Sequence, residues 1–91
     1  MSAGFTATVE VPNHLGIHAR AAAKLVDLAN RYESHIEVSK DGQTADAKSI
    51  MGVLLLCSQR GAKITFRAVG DDAEVALAAL CRLVSEGFGE D

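Results

Sequence analysis

His18 and Arg20 stand two positions apart in the segment Leu15-Gly16-Ile17-His18-Ala19-Arg20, and together these residue types suit the handling of a phosphoryl group. Histidine has a reference pKa of about 6.5, so much of it is neutral and nucleophilic near neutral pH. Arginine offers a forked cationic donor to phosphate oxygens. The segment lies where a strand-like run gives way to a helical one, which puts His18 at a helix start. The first backbone N–H groups of a helix have no internal partner and carry the positive end of its dipole, so an anion attached there is stabilised. Gly16 supplies the backbone freedom that the turn requires. Taken alone, the same pair could also be a helix-capping histidine beside a solvated arginine.

Ser49 stands just before a second short helix, where a serine N-cap is the common structural role. His14 and His35 match no functional pattern and are expected on the surface or in loops. His14 and His18 would straddle the loop-to-helix junction, and no third ligand follows at usable spacing, so no metal site is expected. Cys57 and Cys81 lie 24 positions apart with no CxxC pair. Both read as apolar core thiols rather than a disulfide framework.

The elements that must position these residues follow from periodicity. Phe5, Ala7, Val9 and Val11 alternate with Thr6, Thr8 and Glu10, the pattern of a strand with one buried face, before Pro12 and Asn13. From Ala19, the residues Ala22, Leu25, Val26 and Ala29 form a helical stripe, with Lys24, Asp27 and Arg31 opposite. Residues 35–40 and 43–47 flank Asp41-Gly42, which predicts an antiparallel hairpin. The run IMGVLLLC after Ser49 reads as a helix of about two turns, with a buried strand as the alternative on periodicity alone. Residues 63–69 alternate again, placing Ile64, Phe66 and Ala68 on one face. Asp71 and Glu74 resemble a capping box, and Ala73, Leu77, Leu80 and Val84 then mark a helix ending near Gly87. The order is βαββαβα. A four-stranded, mainly antiparallel sheet with helices on one face satisfies it, an α+β arrangement in which one-sided strands and striped helices cover each other.

Composition narrows the function further. With 91 residues, 48% of them hydrophobic and 23% charged, the chain predicts one compact domain over residues 1–91. A net charge of −3 without a basic stripe argues against nucleic acid as a partner. The opening residues lack a basic and then apolar leader pattern, and the longest apolar run, Val53 to Cys57, is too short for a bilayer. A cytoplasmic protein with no membrane insertion is expected. No Gly-rich nucleotide loop or paired-carboxylate motif points to an independent enzyme, and no cofactor is expected.

Two segments carry a resemblance that bears on this choice. NHLGIHARAAAKLV resembles the phosphorylation-site segment of the HPr family of phosphocarriers, and AKSIMGVLLL resembles its second signature. The ending SEGFGED further resembles NPr, the nitrogen-related branch. The resemblance covers essentially the whole chain and implies the family's open-faced βαββαβα sandwich.

It also implies that His18 takes phosphate from Enzyme I, itself charged by phosphoenolpyruvate, and passes it to an EIIA-type acceptor, with Arg20 stabilising the phosphate. Ser49 corresponds to a serine that an HPr kinase/phosphorylase modifies in some bacteria. Ile50, Met51, Leu54 and Ala23 correspond to a partner-docking patch, whereas Val53 and Leu56 would face the core. The implied protein acts as a monomer. One departure stands out: Ala21 occupies the place where the family usually has proline, which bears on transfer rate and site rigidity. The alternative reading is an HPr-like regulatory binding protein with little phosphotransfer activity.

Overall fold

The computed structural model describes residues 4–56 and 59–90. Strands β1 (Phe5–Glu10), β2 (His35–Lys40), β3 (Gln43–Asp46) and β4 (Lys63–Val69) alternate with helices α1 (Ala19–Ala29), α2 (Ile50–Leu55) and α3 (Ala73–Ser85) in the order βαββαβα. The sheet runs β1-β4-β2-β3 with every neighbour antiparallel. Asp41 and Gly42, both at positive φ, turn the β2–β3 hairpin as expected.

The helices cover one face. In α1 the buried residues are Ala21, Ala22, Leu25 and Ala29, and in α3 they are Ala73, Ala76, Leu77, Leu80 and Val84. They close over Ile36, Val38, Ile64, Phe66 and Ala68 of the two central strands, all 0–1% exposed. This pattern follows from matching periods, because alternating strands and helical stripes each offer one apolar face and must bury it against the other. The opposite face is polar, with Thr8 and Thr65 hydroxyls 2.8 Å apart across β1 and β4.

Two local expectations need correction, and one feature adds to the expected order. Phe5, assigned to the buried face, is 48% exposed, because β1 is an edge strand and Phe5 stands at its open end. The Asp71–Glu74 capping box does not form. The N-cap is Asp72, whose side chain makes no cap hydrogen bond to α3 and instead accepts from the backbone N–H groups of Glu33 (2.9 Å) and Ser34 (3.0 Å). Finally, α3 is followed by a 3-10 turn, Gly87–Gly89, in which Phe88 is buried in a left-handed conformation (φ 60°, ψ 24°). Cys81 is half-buried, and burial pushes its thiol pKa up. Cys57 lies outside the described residues.

Candidate functional site

The connection between β1 and α1 is held before it reaches the histidine. Val11 exchanges backbone hydrogen bonds with the β4 approach, donating to Ala62 O (2.9 Å) and accepting from Gly61 N (2.7 Å). Asn13, 1% exposed, donates through Nδ2 to Gly16 O at 2.7 Å. Gly16 closes this turn at φ 69°, a conformation that favours glycine over residues with a Cβ.

The chain thereby delivers His18 to the N-cap of α1 in an extended conformation. Its Nδ1 accepts from the backbone N–H of Arg20 at 3.2 Å. Its Nε2 lies 2.6 Å from Oε2 of Glu90. An ionised carboxylate only accepts, so Nε2 carries the proton of this contact while Nδ1 presents its lone pair to the helix N-terminus. The two ring nitrogens are thus chemically distinct. The imidazole remains reachable, with 28% of its side-chain surface exposed.

Glu90 is bound from two sides, since Asn13 Nδ2 also donates to its Oε1 at 3.0 Å. Burial raises the carboxyl pKa. Hydrogen bonds from His18 and Asn13, together with the charge of Lys24, outweigh that and hold it below the ordinary glutamate range. Arg20 is exposed, and its guanidinium makes no hydrogen bond or ion pair among the described residues, so it can turn toward an anion on the ring.

The remaining sequence candidates form a second group. Ser49 is the N-cap of α2, and its Oγ accepts from Gly52 N at 3.2 Å. Beside it an open groove of about 510 Å³ is lined by Thr44, Asp46, Gly52 and Leu55 among others. On α2, Ile50 (42%) and Met51 (64%) are exposed and Leu54 is half-buried, while Val53 and the C-cap residue Leu56 are buried. Ala23 is exposed on α1. Leu15 (70%) and Leu55 (71%) extend the set of exposed apolar side chains; periodicity does not single them out. His14 pairs with Arg60 (3.2 Å) and His35 with Glu37 (3.2 Å), both at the surface. No cluster of three metal-ligating side chains occurs among the described residues.

Sequence reasoning misses Glu90 and Asn13. Glu90 lies 72 positions from His18, and nothing local in SEGFGED marks one carboxylate over its neighbours. Asn13 reads as a strand stop, which hides its side-chain bonds.

An open-faced sheet backed by three helices, with a histidine capping the first of them, defines a class of small protein that presents an imidazole at the surface rather than enclosing it in a pocket. The family profile described as PTS HPr component phosphorylation site matches residues 5–86. Phosphocarrier protein HPr of Cupriavidus necator is 45% identical over 78 residues, covering 86% of this chain and 88% of that protein. Phosphocarrier protein NPr of Escherichia coli K12 is 41% identical over 85 residues, covering 92% and 94%. Among solved structures, HPr-C-His from Thermoanaerobacter tengcongensis superposes with a TM-score of 0.92 at 41% identity, covering 96% of this chain and 98% of that one. The chain belongs to the HPr family of phosphotransferase-system phosphocarriers.

Proposed function

We propose that this protein accepts a phosphoryl group on Nδ1 of His18 from phosphorylated Enzyme I and delivers it to an EIIA-type protein in the cytoplasm. The observation that carries this reading is the orientation of His18. Its Nδ1 lone pair faces the N-terminus of α1 beside Arg20, where N–H groups and the guanidinium favour a dianion. Phosphate on this nitrogen would take the lone pair that now accepts from Arg20 N–H, leaving that donor for a phosphate oxygen, and α1, whose apolar stripe is buried, serves as the mount.

Ser49 is the regulatory position in this reading, with HPr kinase/phosphorylase as the modifying enzyme. Phosphate there would favour the dipole of α2 yet place negative charge beside Ile50 and Met51, which with Leu54 and Ala23 form the docking patch. The protein acts as a monomeric carrier in a relay. Similarity to both an HPr and an NPr is compatible with either sugar uptake or nitrogen regulation. Incubation with Enzyme I and phosphoenolpyruvate tests the central step: an acid-labile adduct is expected on the protein and not on His18→Ala, and undiminished labelling of that variant would reject His18 as acceptor.

A further inference from the structure

We propose that the segment Gly87–Glu90 is a strap that holds the Glu90 carboxylate on Nε2 of His18, anchored by Lys24, and that Glu90 and Lys24 are positioning residues for transfer at Nδ1. The proposal rests on the phosphocarrier reading for its chemistry, but the strap itself stands on independent contacts. Lys24, on α1 six residues beyond the histidine, donates through Nζ to Phe88 O at 2.7 Å. Phe88 is 1% exposed although its backbone is left-handed (φ 60°, ψ 24°). A non-glycine residue persists there only where its surroundings compensate the cost, and here burial of the ring and the Lys24 hydrogen bond do so. Beyond Phe88 the chain turns back so that both carboxylate oxygens of Glu90 are engaged, by His18 Nε2 (2.6 Å) and Asn13 Nδ2 (3.0 Å).

The chemistry explains what such a strap would accomplish. In the accepting step the bond from phosphorus to the phosphorylated donor breaks and its electron pair stays with the donor. The Nδ1 lone pair forms the new P–N bond. The ring keeps its Nε2 proton and so gains one positive charge, which develops 2.6 Å from an ionised carboxylate. A carboxylate that holds the tautomer and stabilises the forming imidazolium lowers that barrier without itself taking the proton. In the delivering step the P–N pair returns to Nδ1, and a ring still protonated at Nε2 is the better leaving group. The contact thus acts differently in the two steps: its charge favours acceptance, while in delivery its part is to keep the Nε2 proton on the ring as the P–N bond breaks.

The test uses nitrogen-resolved NMR of the whole unphosphorylated chain together with transfer from phosphorylated Enzyme I. The wild type should show a slowly exchanging, hydrogen-bonded Nε2–H on His18. Glu90→Gln and Lys24→Met should lose its protection from exchange and slow transfer on the order of tenfold, the loss of a charge-assisted hydrogen bond. Lys24→Arg, which keeps a donor, should restore both. An Nε2–H signal and rates unchanged in both variants would overturn the proposal, as would slower transfer in Lys24→Met with the signal intact, since Lys24 would then act by another route such as docking. A wild type that accepts no phosphate would instead remove the phosphocarrier reading and the transfer role with it, while the Nε2–H signal would still report the strap.

Discussion

The carboxylate of Asp72, at the N-cap of α3, reaches across to Ser34 at the start of β2 and binds both its backbone N–H (3.0 Å) and its hydroxyl. With the Glu33 N–H at 2.9 Å, one side chain ties the turn after α1 to the start of α3. The hydrogen bond from the Ser34 side chain, followed by that from Glu33, holds the Asp72 carboxyl below the ordinary aspartate value of 3.8 despite some desolvation. The folded state therefore binds this proton less readily than the unfolded chain. The contribution is fully present above about pH 4 and is lost as acid carries the pH down through the lowered value. Asp72→Asn should lower the melting temperature at pH 7 and flatten the acid limb of stability against pH. Thermal melts from pH 7 to 2.5 check it, and parallel acid limbs in both proteins would reject the linkage.

Gly70 faces the same junction at φ 147°. A Cβ there would stand 2.5 Å from Ser34 Oγ and 2.8 Å from Ser34 Cα, closer than real contacts. Gly70→Ala should cost about 1–3 kcal/mol from displaced backbone and adverse φ together, read as a lower denaturant midpoint with an unchanged slope.

Replacing Arg20 by Ala should leave stability near wild type, since the side chain is exposed and makes no hydrogen bond or ion pair among the described residues. Transfer should slow on the order of tenfold or more, because a charged donor to the phosphoryl oxygens is removed. Rapid-quench kinetics with phosphorylated Enzyme I decide this, and equal rates would remove Arg20 from the site.

Ala21 is the third residue of α1, and its N–H is among those that no helical carbonyl reaches. Ala21→Pro consequently breaks no helical hydrogen bond and narrows the unfolded ensemble. A gain of about 0.4–1 kcal/mol is expected. The complete burial of Ala21 sets the condition that the ring must find room, so a lower melting temperature would show the core packed too tightly for it.

Ser49→Asp opposes two effects. Aspartate caps a helix about as well as serine and suits the dipole, so the melting temperature should match or exceed wild type. A charge beside the exposed Ile50 and Met51 should raise the apparent KM for Enzyme I, roughly two- to tenfold. Unchanged kinetics would place docking elsewhere.

Whatever depends on neighbours along the chain is legible in the amino-acid sequence itself. The strands and helices appear in the expected order because period 2 and period 3.6 each declare one apolar face, and the short run after Ser49 is a helix with Val53 and Leu56 inward. His18 lies at its helix N-terminus because the change of period between Val11 and Ala19 marks that junction. What the tertiary structure decided involves residues far apart in sequence. Local pattern makes Asp71 the capping residue and gives Asp72 no role, but the Glu33 and Ser34 N–H groups compete for the Asp72 carboxylate and win. Phe5 obeys the alternation yet is exposed, since alternation specifies a face and not whether the edge of the sheet is covered. Glu90 meets His18 at the end of a segment in which Phe88 buries its ring and Lys24 holds the Phe88 carbonyl. Local periodicity has no term for such a contact, because which atoms meet across 72 positions depends on how the whole chain packs.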